Sequence, residues 1–380
     1  MGLFWGRVTK PLTWFTLLII IGSAVTLWHR LPGREILGLR LWGPSMFYLY
    51  RYILFIGSFA AIYSYLNNAY RIKITTRILF FLGISVELIV IGQFLGVIPD
   101  FYYLKGHSSS NWIHVGPTSP HHAHLAGYLL SFCILLLLLR FKNTKILNKS
   151  LLDFALVLLI PVMLISGKRS GWLALIIYIA IVGFYLFKTA SLRNRIFSVI
   201  LMVGGITIFT LIVLNNQNLQ NAIFDSYNFK ERNIIVGSNF EARFITPIEY
   251  LKYLTREPIS FLIGTGFAST LTYFIIYGGF YGNNLGGTHN QYVAVLFQLG
   301  IPGFLVFMWL LKEMMFAIIQ ATIENREQRI VFVSGFVSIL IYALPGAFFF
   351  VGSAYGNYTL YFFVMYALCL RVCQLDSKVS

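Results

Sequence analysis

Long apolar runs separated by short polar stretches set the pattern of this chain. A helix that crosses a bilayer needs about 20 mostly apolar residues, within a range of roughly 17–25. Such runs fall at 12–28, 45–66, 78–98, 123–140, 151–166, 171–187, 196–214, within 288–320, at 330–350 and at 353–370. The pattern predicts an all-α fold: a polytopic transmembrane helix bundle of about 10–12 spans, with a large, partly helical external loop. We expect a single membrane domain over residues 1–380, with 215–287 as the external loop within it. The first run resembles a signal peptide. No small-residue cleavage site follows it, so an uncleaved first span is expected.

Composition narrows the class further. Apolar residues make up 58% of the 380 and charged residues only 11%, against roughly 25% charged in soluble domains. That deficit excludes an ordinary cytoplasmic enzyme, a disordered chain and a secreted disulfide scaffold. Lys and Arg number 29 and Asp and Glu 13, for a net charge of +16. In a soluble protein this excess would suggest nucleic acid, but in a membrane protein it is expected of the cytoplasmic loops. The loops 67–77 (Arg71, Lys73, Arg77), 140–149 (Arg140, Lys142, Lys145, Lys149) and 188–195 (Lys188, Arg193, Arg195) alternate correctly if both termini are cytoplasmic. Cys133, Cys369 and Cys373 form neither a disulfide framework nor a zinc spacing.

Three basic stretches then fall on the outer side. Arg30, Arg34 and Arg40 follow the first run, and Lys168 and Arg169 occupy the short turn SGKRSG (166–171). The external loop carries five basic residues (Lys230, Arg232, Arg243, Lys252, Arg256) and five acidic ones. Cations against the topological rule call for a reason, and binding an anion at the outer face supplies one.

Within the external loop, Thr246 can cap a helix, with Pro247 at its first position and Glu249 closing a capping box. Phe244, Ile245, Ile248, Leu251 and Leu254 repeat at helical spacing, and Pro258 stops the run. The expectation is an amphipathic helix over 247–256, lying on the membrane or on the bundle. A glycine-rich stretch follows, with Gly264 and Gly266 and then YGGFYGNNLGGTHNQY (277–292). Thr288 and Gln291 form a second capping box, which makes His289 the first residue of the next helix. The free N–H groups of such a first turn favour a phosphate and a neutral histidine. Gly300, Pro302 and Gly303 interrupt the run 288–320. Either a short outer helix (288–299) precedes the span, or one kinked helix covers both.

Two motifs and their order carry a resemblance. SGKRSGWLALII (166–177) looks like a Ser-x-x-Arg turn opening an apolar helix. THNQYVAVLFQLGIPGFLVF (288–307) is similar to a His-Asn helix followed by a glycine-rich break. Between them lies the large loop with Arg243 and GTGF (264–267). Over roughly residues 120–310 the chain resembles the O-antigen ligase and O-antigen polymerase (Wzy-type) superfamily of bacterial membrane glycosyltransferases. That resemblance implies transfer of a glycan from an undecaprenyl-pyrophosphate carrier to a sugar hydroxyl. It would make Arg169 and Arg243 the external arginines that hold the pyrophosphate, and His289 the histidine beside the acceptor. Apart from the resemblance, Lys168, Glu241 and Asn290 are candidates for substrate binding, with Glu241 as the alternative base and an ordinary interface lysine as the other reading of Lys168. The implied location is the inner membrane, with the active site facing the periplasm.

Other residues carry competing readings. His121, His122 and His124 lack a carboxylate or cysteine nearby, so a metal is not expected; His121 and His124 are candidates for acceptor or headgroup contact. Glu87 lies deep in a span, where an acid is a functional candidate unless it simply bonds a neighbouring helix. Tyr250, Tyr253, Phe280 and Tyr281 could stack on sugars or belong to an interfacial belt. Polymerase and ligase share the donor and differ in acceptor, and the uncharged balance of the loop favours the polymerase. A polysaccharide or lipid-linked sugar transporter is the non-enzyme alternative, but no internal repeat is found and the cations sit at the edge. No cofactor is expected. Expected partners are the lipid-linked oligosaccharide and the membrane, with a chain-length regulator or a flippase as candidate protein partners and no nucleic acid.

Overall fold

The computed structural model describes residues 2–28, 35–99, 122–142, 146–166, 168–189, 239–267 and 290–344, then 357–374, with Ile196, Val199, Val203, Thr207 and Ser269 besides. Among the described residues there are eleven helices and no strand: α1 (Gly2–Trp28), α2 (Glu35–Tyr65), α3 (Ala69–Phe94), α4 (His122–Phe141), α5 (Lys149–Ile165), α6 (Arg169–Thr189), α7 (Asn239–Arg256), α8 (Pro258–Ile263), α9 (Gln291–Ala321), α10 (Arg326–Tyr342) and α11 (Asn357–Gln374). Arg7–Val25, Ala69–Phe94 and Gln291–Ala321 are long and apolar enough to cross a membrane. The chain is an all-α membrane protein.

Nine of the ten predicted runs coincide with a described helix; 196–214 lies almost wholly outside the described residues. Several boundaries move: α1 begins at Gly2 rather than 12, and α2 at Glu35 rather than 45. α3 begins at Ala69, not 78, because Asn68 caps it: its Oδ1 accepts the Arg71 N–H at 2.9 Å. The basic stretch 67–77 is therefore mostly helix. α10 ends at Tyr342 rather than 350.

Two compact units divide the chain: Met1–Ser58, Lys230–Ala317 and Ala343–Ala354 form the first, and Phe59–Phe229, Ile318–Tyr342 and Tyr355–Ser380 the second. In the second, α4 is the central post. It packs against α5, α6, α10 and α11, and its residues from Leu125 to Leu139 are buried without a break. This fits a helix that is apolar all round. Small residues let the neighbours close in. Gly83 of α3 lies under the Phe132 ring, and a Cβ at Gly335 of α10 would meet the Ile134 side chain at 2.5 Å. Such close approach is the common mode of helix packing in membranes.

Basic side chains close one end of this unit. Arg77 Nε donates to the Ile146 carbonyl at 3.2 Å, and Lys142 Nζ donates to that of Val372. Arg371 donates through Nε and Nη2 to the Tyr63 carbonyl at 3.2 and 3.0 Å. Arg329 reaches the Thr322 and Ile323 carbonyls at the end of α9. The Val372, Tyr63, Thr322 and Ile323 carbonyls lie at or just past helix ends, which leave such oxygens without an intrahelical partner; that of Ile146 lies in the turn before α5. Arg140 pairs with Asp153 at 2.5 Å. Two of the loops predicted to share one side, 67–77 and 140–149, thus meet through Arg77 and Ile146. Glu87 is wholly buried in α3, and among the described residues neither of its carboxylate oxygens has a hydrogen-bond partner. No described neighbouring helix supplies the bond that the plainer reading expected.

In the first unit, Phe15 of α1 packs against Tyr52 of α2 and Phe307 of α9, with ring centres 6.2 and 5.6 Å away. α9 is two helical pieces joined at Gly300, whose φ of 66° and ψ of −168° are not helical. Of the two expected arrangements, this is a short helix (291–299) abutting a longer one.

Candidate functional site

The turn SGKRSG joins α5 to α6 at the opposite end of α5 from the basic cluster. Ser166 Oγ donates to the Met163 carbonyl at 2.6 Å and accepts the Lys168 N–H at 3.4 Å. The Lys168 carbonyl accepts the N–H groups of Gly171 and Trp172 at 2.8 and 3.1 Å, which starts α6. The Trp172 indole donates back to the Met163 carbonyl at 2.8 Å, fastening α6 to α5. Lys168 is buried, at 7% exposure. Arg169 opens α6, and its side chain lies outside the described ones. Ser170, which the sequence did not single out, is buried with no partner for its hydroxyl among the described residues. A Cβ at Gly171 would lie 2.9 Å from the Ala126 Cβ. The turn therefore sits against the first turns of α4, the helix that carries His122 and His124. The side chains of these histidines, and all of His121, lie outside the described residues.

The second motif is built around the break in α9. An α-helical carbonyl accepts the N–H four residues on. For Gln298 that residue is Pro302, which has no N–H. The break at Gly300 also withdraws the partner of Phe297. The GTGF loop supplies both: Thr265 N donates to the Phe297 carbonyl at 2.9 Å and Gly266 N to that of Gln298 at 3.0 Å. Thr265 Oγ1 adds a bond to the Phe297 carbonyl at 2.8 Å and lies 2.5 Å from Ser269 Oγ. Phe267 N donates to the Gly22 carbonyl of α1 at 2.9 Å. A buried carbonyl left without a donor costs about 1–3 kcal/mol, so the loop is an integral part of the broken helix.

The start of α9 differs from expectation. The helix begins at Gln291, and Asn290 is its cap rather than Thr288. Asn290 Oδ1 accepts the N–H groups of Tyr292 and Val293, both at 3.0 Å, and its carbonyl accepts that of Ala294 at 2.9 Å. The Gln291 N–H donates to the Ala343 carbonyl at 3.1 Å. The four N–H groups of this first turn, from Gln291 to Ala294, are thus engaged. His289 itself lies outside the described residues. Asn290, half-buried, commits its Oδ1 to capping.

α7 starts at Asn239, so Thr246 does not cap it and Pro247 lies inside it. Arg243 and Glu241 stand in its first two turns, with side chains outside those described. The buried stripe is Pro247, Tyr250 and Leu254. Tyr250 meets Phe297 of α9 edge-on at 4.6 Å, and Tyr253 lies 5.6 Å from the same ring. Ile248 and Leu251, two of the apolar residues at helical spacing, are 49% and 37% exposed. The aromatic contact to Phe297 decides which face goes down. With Tyr250 only 2% exposed, sugar stacking is not open to it; Phe280 and Tyr281 lie outside the described residues.

The site residues divide between the units. Lys168, Arg169 and Ser170 belong to the second, and α7, the GTGF loop and Asn290 to the first. No curated protein matches the chain. The family model described as O-antigen ligase matches residues 154–308. That stretch runs from α5 through the Ser-x-x-Arg turn, the loop and its helix, the GTGF segment and the broken α9. Over these residues, about two fifths of its length, the chain is similar to the O-antigen ligase family, in keeping with the resemblance that the two motifs carry.

Proposed function

We propose that the protein is a glycosyltransferase that polymerises undecaprenyl-pyrophosphate-linked oligosaccharide repeats at the outer face of the inner membrane. The observation that carries this reading is the family match at 154–308, which contains both motifs and the loop between them. The donor already holds a good leaving group, so the enzyme must stabilise the departing diphosphate and remove one proton. Arg169 and Arg243 suit the first task, because a guanidinium stays charged and grips phosphate oxygens with two donors. Lys168 adds a third cation beside Arg169. His289 takes the acceptor hydroxyl proton, with Glu241 as the alternative base. Stabilising developing charge is usually the largest catalytic contribution. His121 and His124, on or next to the helix start that Gly171 packs against, would face the acceptor or the headgroup. Both termini are cytoplasmic in this reading, and a chain-length regulator or a flippase is the candidate protein partner.

The second reading is ligation to lipid A core, favoured by the description of the matching family as O-antigen ligase. The experiment that decides is incubation of the purified protein with a lipid-linked oligosaccharide, with and without lipid A core. A ladder of products without core means polymerase. Product only when core is present means ligase. No product in either case, with an inserted and folded protein, overturns both.

A further inference from the structure

We propose that α8 and the outer flank of α7 are seated in the interfacial layer of the bilayer, with Ile259, Leu262 and Ile263 in contact with lipid acyl chains. These three residues fall at i, i+3 and i+4 and so line one face of a helix. They are 71%, 56% and 56% exposed, while Ser260 turns inward at 7%. Ile248 and Leu251 extend the bare apolar surface onto α7, whose other side is already committed to Phe297. An aqueous loop would not leave such a surface uncovered.

Depth decides what covers it. The residue after α8 is Gly264, and a Cβ there would lie 2.7 Å from the Gly300 nitrogen. Three residues further, Phe267 is hydrogen-bonded to Gly22 of α1. A Cβ at Gly22 would in turn meet Leu299 at 2.8 Å, so the Gly300 break and Gly22 share one level. α1 stays helical and apolar to Trp28. Gly22 is six residues short of that end, ~9 Å inside it at 1.5 Å per residue. The C-terminal end of α8 is therefore tied to main chain within the apolar length of α1. Interfacial helices bury their apolar face there, about 5–10 Å into the headgroup and acyl boundary. Lys252, Arg256 and Glu257, all exposed, stand where α7 ends and form a polar rim at headgroup level. The occupant is thus the acyl layer of the surrounding lipid, and the inference is independent of the reaction catalysed.

The test is spin-label accessibility in the full-length protein, reconstituted in phosphatidylethanolamine–phosphatidylglycerol liposomes. Single cysteines at Ile259, Leu262 and Ile263 are labelled in a background lacking Cys133, Cys369 and Cys373, which are all buried in the native chain. Labels at Leu17 and Ile21, exposed apolar residues of the α1 span, calibrate lipid contact. A label at Thr255 calibrates water. The expected result is an oxygen-to-nickel-chelate collision ratio at the three α8 positions matching Leu17 and Ile21 and several-fold above Thr255. A water-like ratio at all three overturns the proposal, as does poor access to both reagents, which would mean that protein covers the face. If the cysteine-free background does not fold, tryptophan at Leu262 in the native background, read by quenching from brominated lipid, separates the same outcomes. Quenching beyond that of the unsubstituted protein supports the proposal and none overturns it.

Discussion

The main chain at Gly264 and at Gly300 pass each other so closely that neither residue has room for a side chain. A Cβ at Gly264 would lie 2.7 Å from the Gly300 nitrogen, and a Cβ at Gly300 would lie 2.6 Å from the Gly264 nitrogen. Both glycines also have positive φ, 84° and 66°. The crossing lets the GTGF loop reach the carbonyls that the broken helix leaves open.

Alanine at either position should therefore be costly. Backbone strain alone accounts for about 1–3 kcal/mol, and the steric overlap with main chain adds to it. Gly264→Ala and Gly300→Ala should each lower the melting temperature of the purified protein in detergent. Gly57→Ala, with nothing within 4 Å of the added carbon, should not. Unchanged melting in both crossing variants would refute the crossing as the constraint.

Thr265→Val keeps the shape of the side chain and the main-chain bond but removes the hydroxyl bonds to the Phe297 carbonyl and to Ser269. A loss of about 0.5–1.5 kcal/mol per bond is expected. Thr265→Ser retains the donor and should recover most of it. The comparison of the two melting curves separates the hydroxyl from the methyl.

Gly171 and Ala126 form a small-on-small contact between α6 and α4. Gly171→Ala should destabilise by about 1–3 kcal/mol through overpacking. Ala126→Gly opens the space at a cost of about 1 kcal/mol in helix propensity. The double variant should lose less than the sum of the singles, the mark of two residues in contact. Strict additivity would place the constraint on Gly171 elsewhere.

Arg169→Ala, Arg243→Ala and His289→Ala should each leave insertion intact and reduce turnover by about 10²–10³-fold, as removal of a charge-stabilising donor does. Arg→Lys at the two arginines should restore little, because the two-donor grip is lost. With fixed cations carrying the diphosphate charge, turnover should survive a chelator. Full activity in any two of the alanine variants, or a strict Mg²⁺ requirement, would count against the assignment.

The break in α9 was legible because Pro302 and Gly303 follow Gly300 closely. The loop that completes it was not, since the Thr265–Phe297 bond joins residues 32 positions apart. Periodicity located α7 but left open which of its apolar residues meet the bundle. Apolar residues lie on two sides of that helix, and only the position of the Phe297 ring settles which is covered. At the start of α9, Thr288 and Asn290 are both good caps in sequence. The helix takes Asn290, whose Oδ1 serves two N–H groups while the Ala343 carbonyl serves a third. Lys168 and Arg169 were found through their charge, whereas the uncharged Ser170 beside them gave no signal.

The cations that close helix ends in the second unit have one more consequence. In the proposed topology Arg77, Lys142, Arg329 and Arg371 belong to the excess that sorts loops during insertion, and each also serves as a clasp on backbone oxygen. Neutralising any of them would disturb the sidedness of the chain and its assembly in a single stroke. Arg371→Lys uncouples the two: it preserves the sorting signal while dissolving the fork that grips the Tyr63 carbonyl.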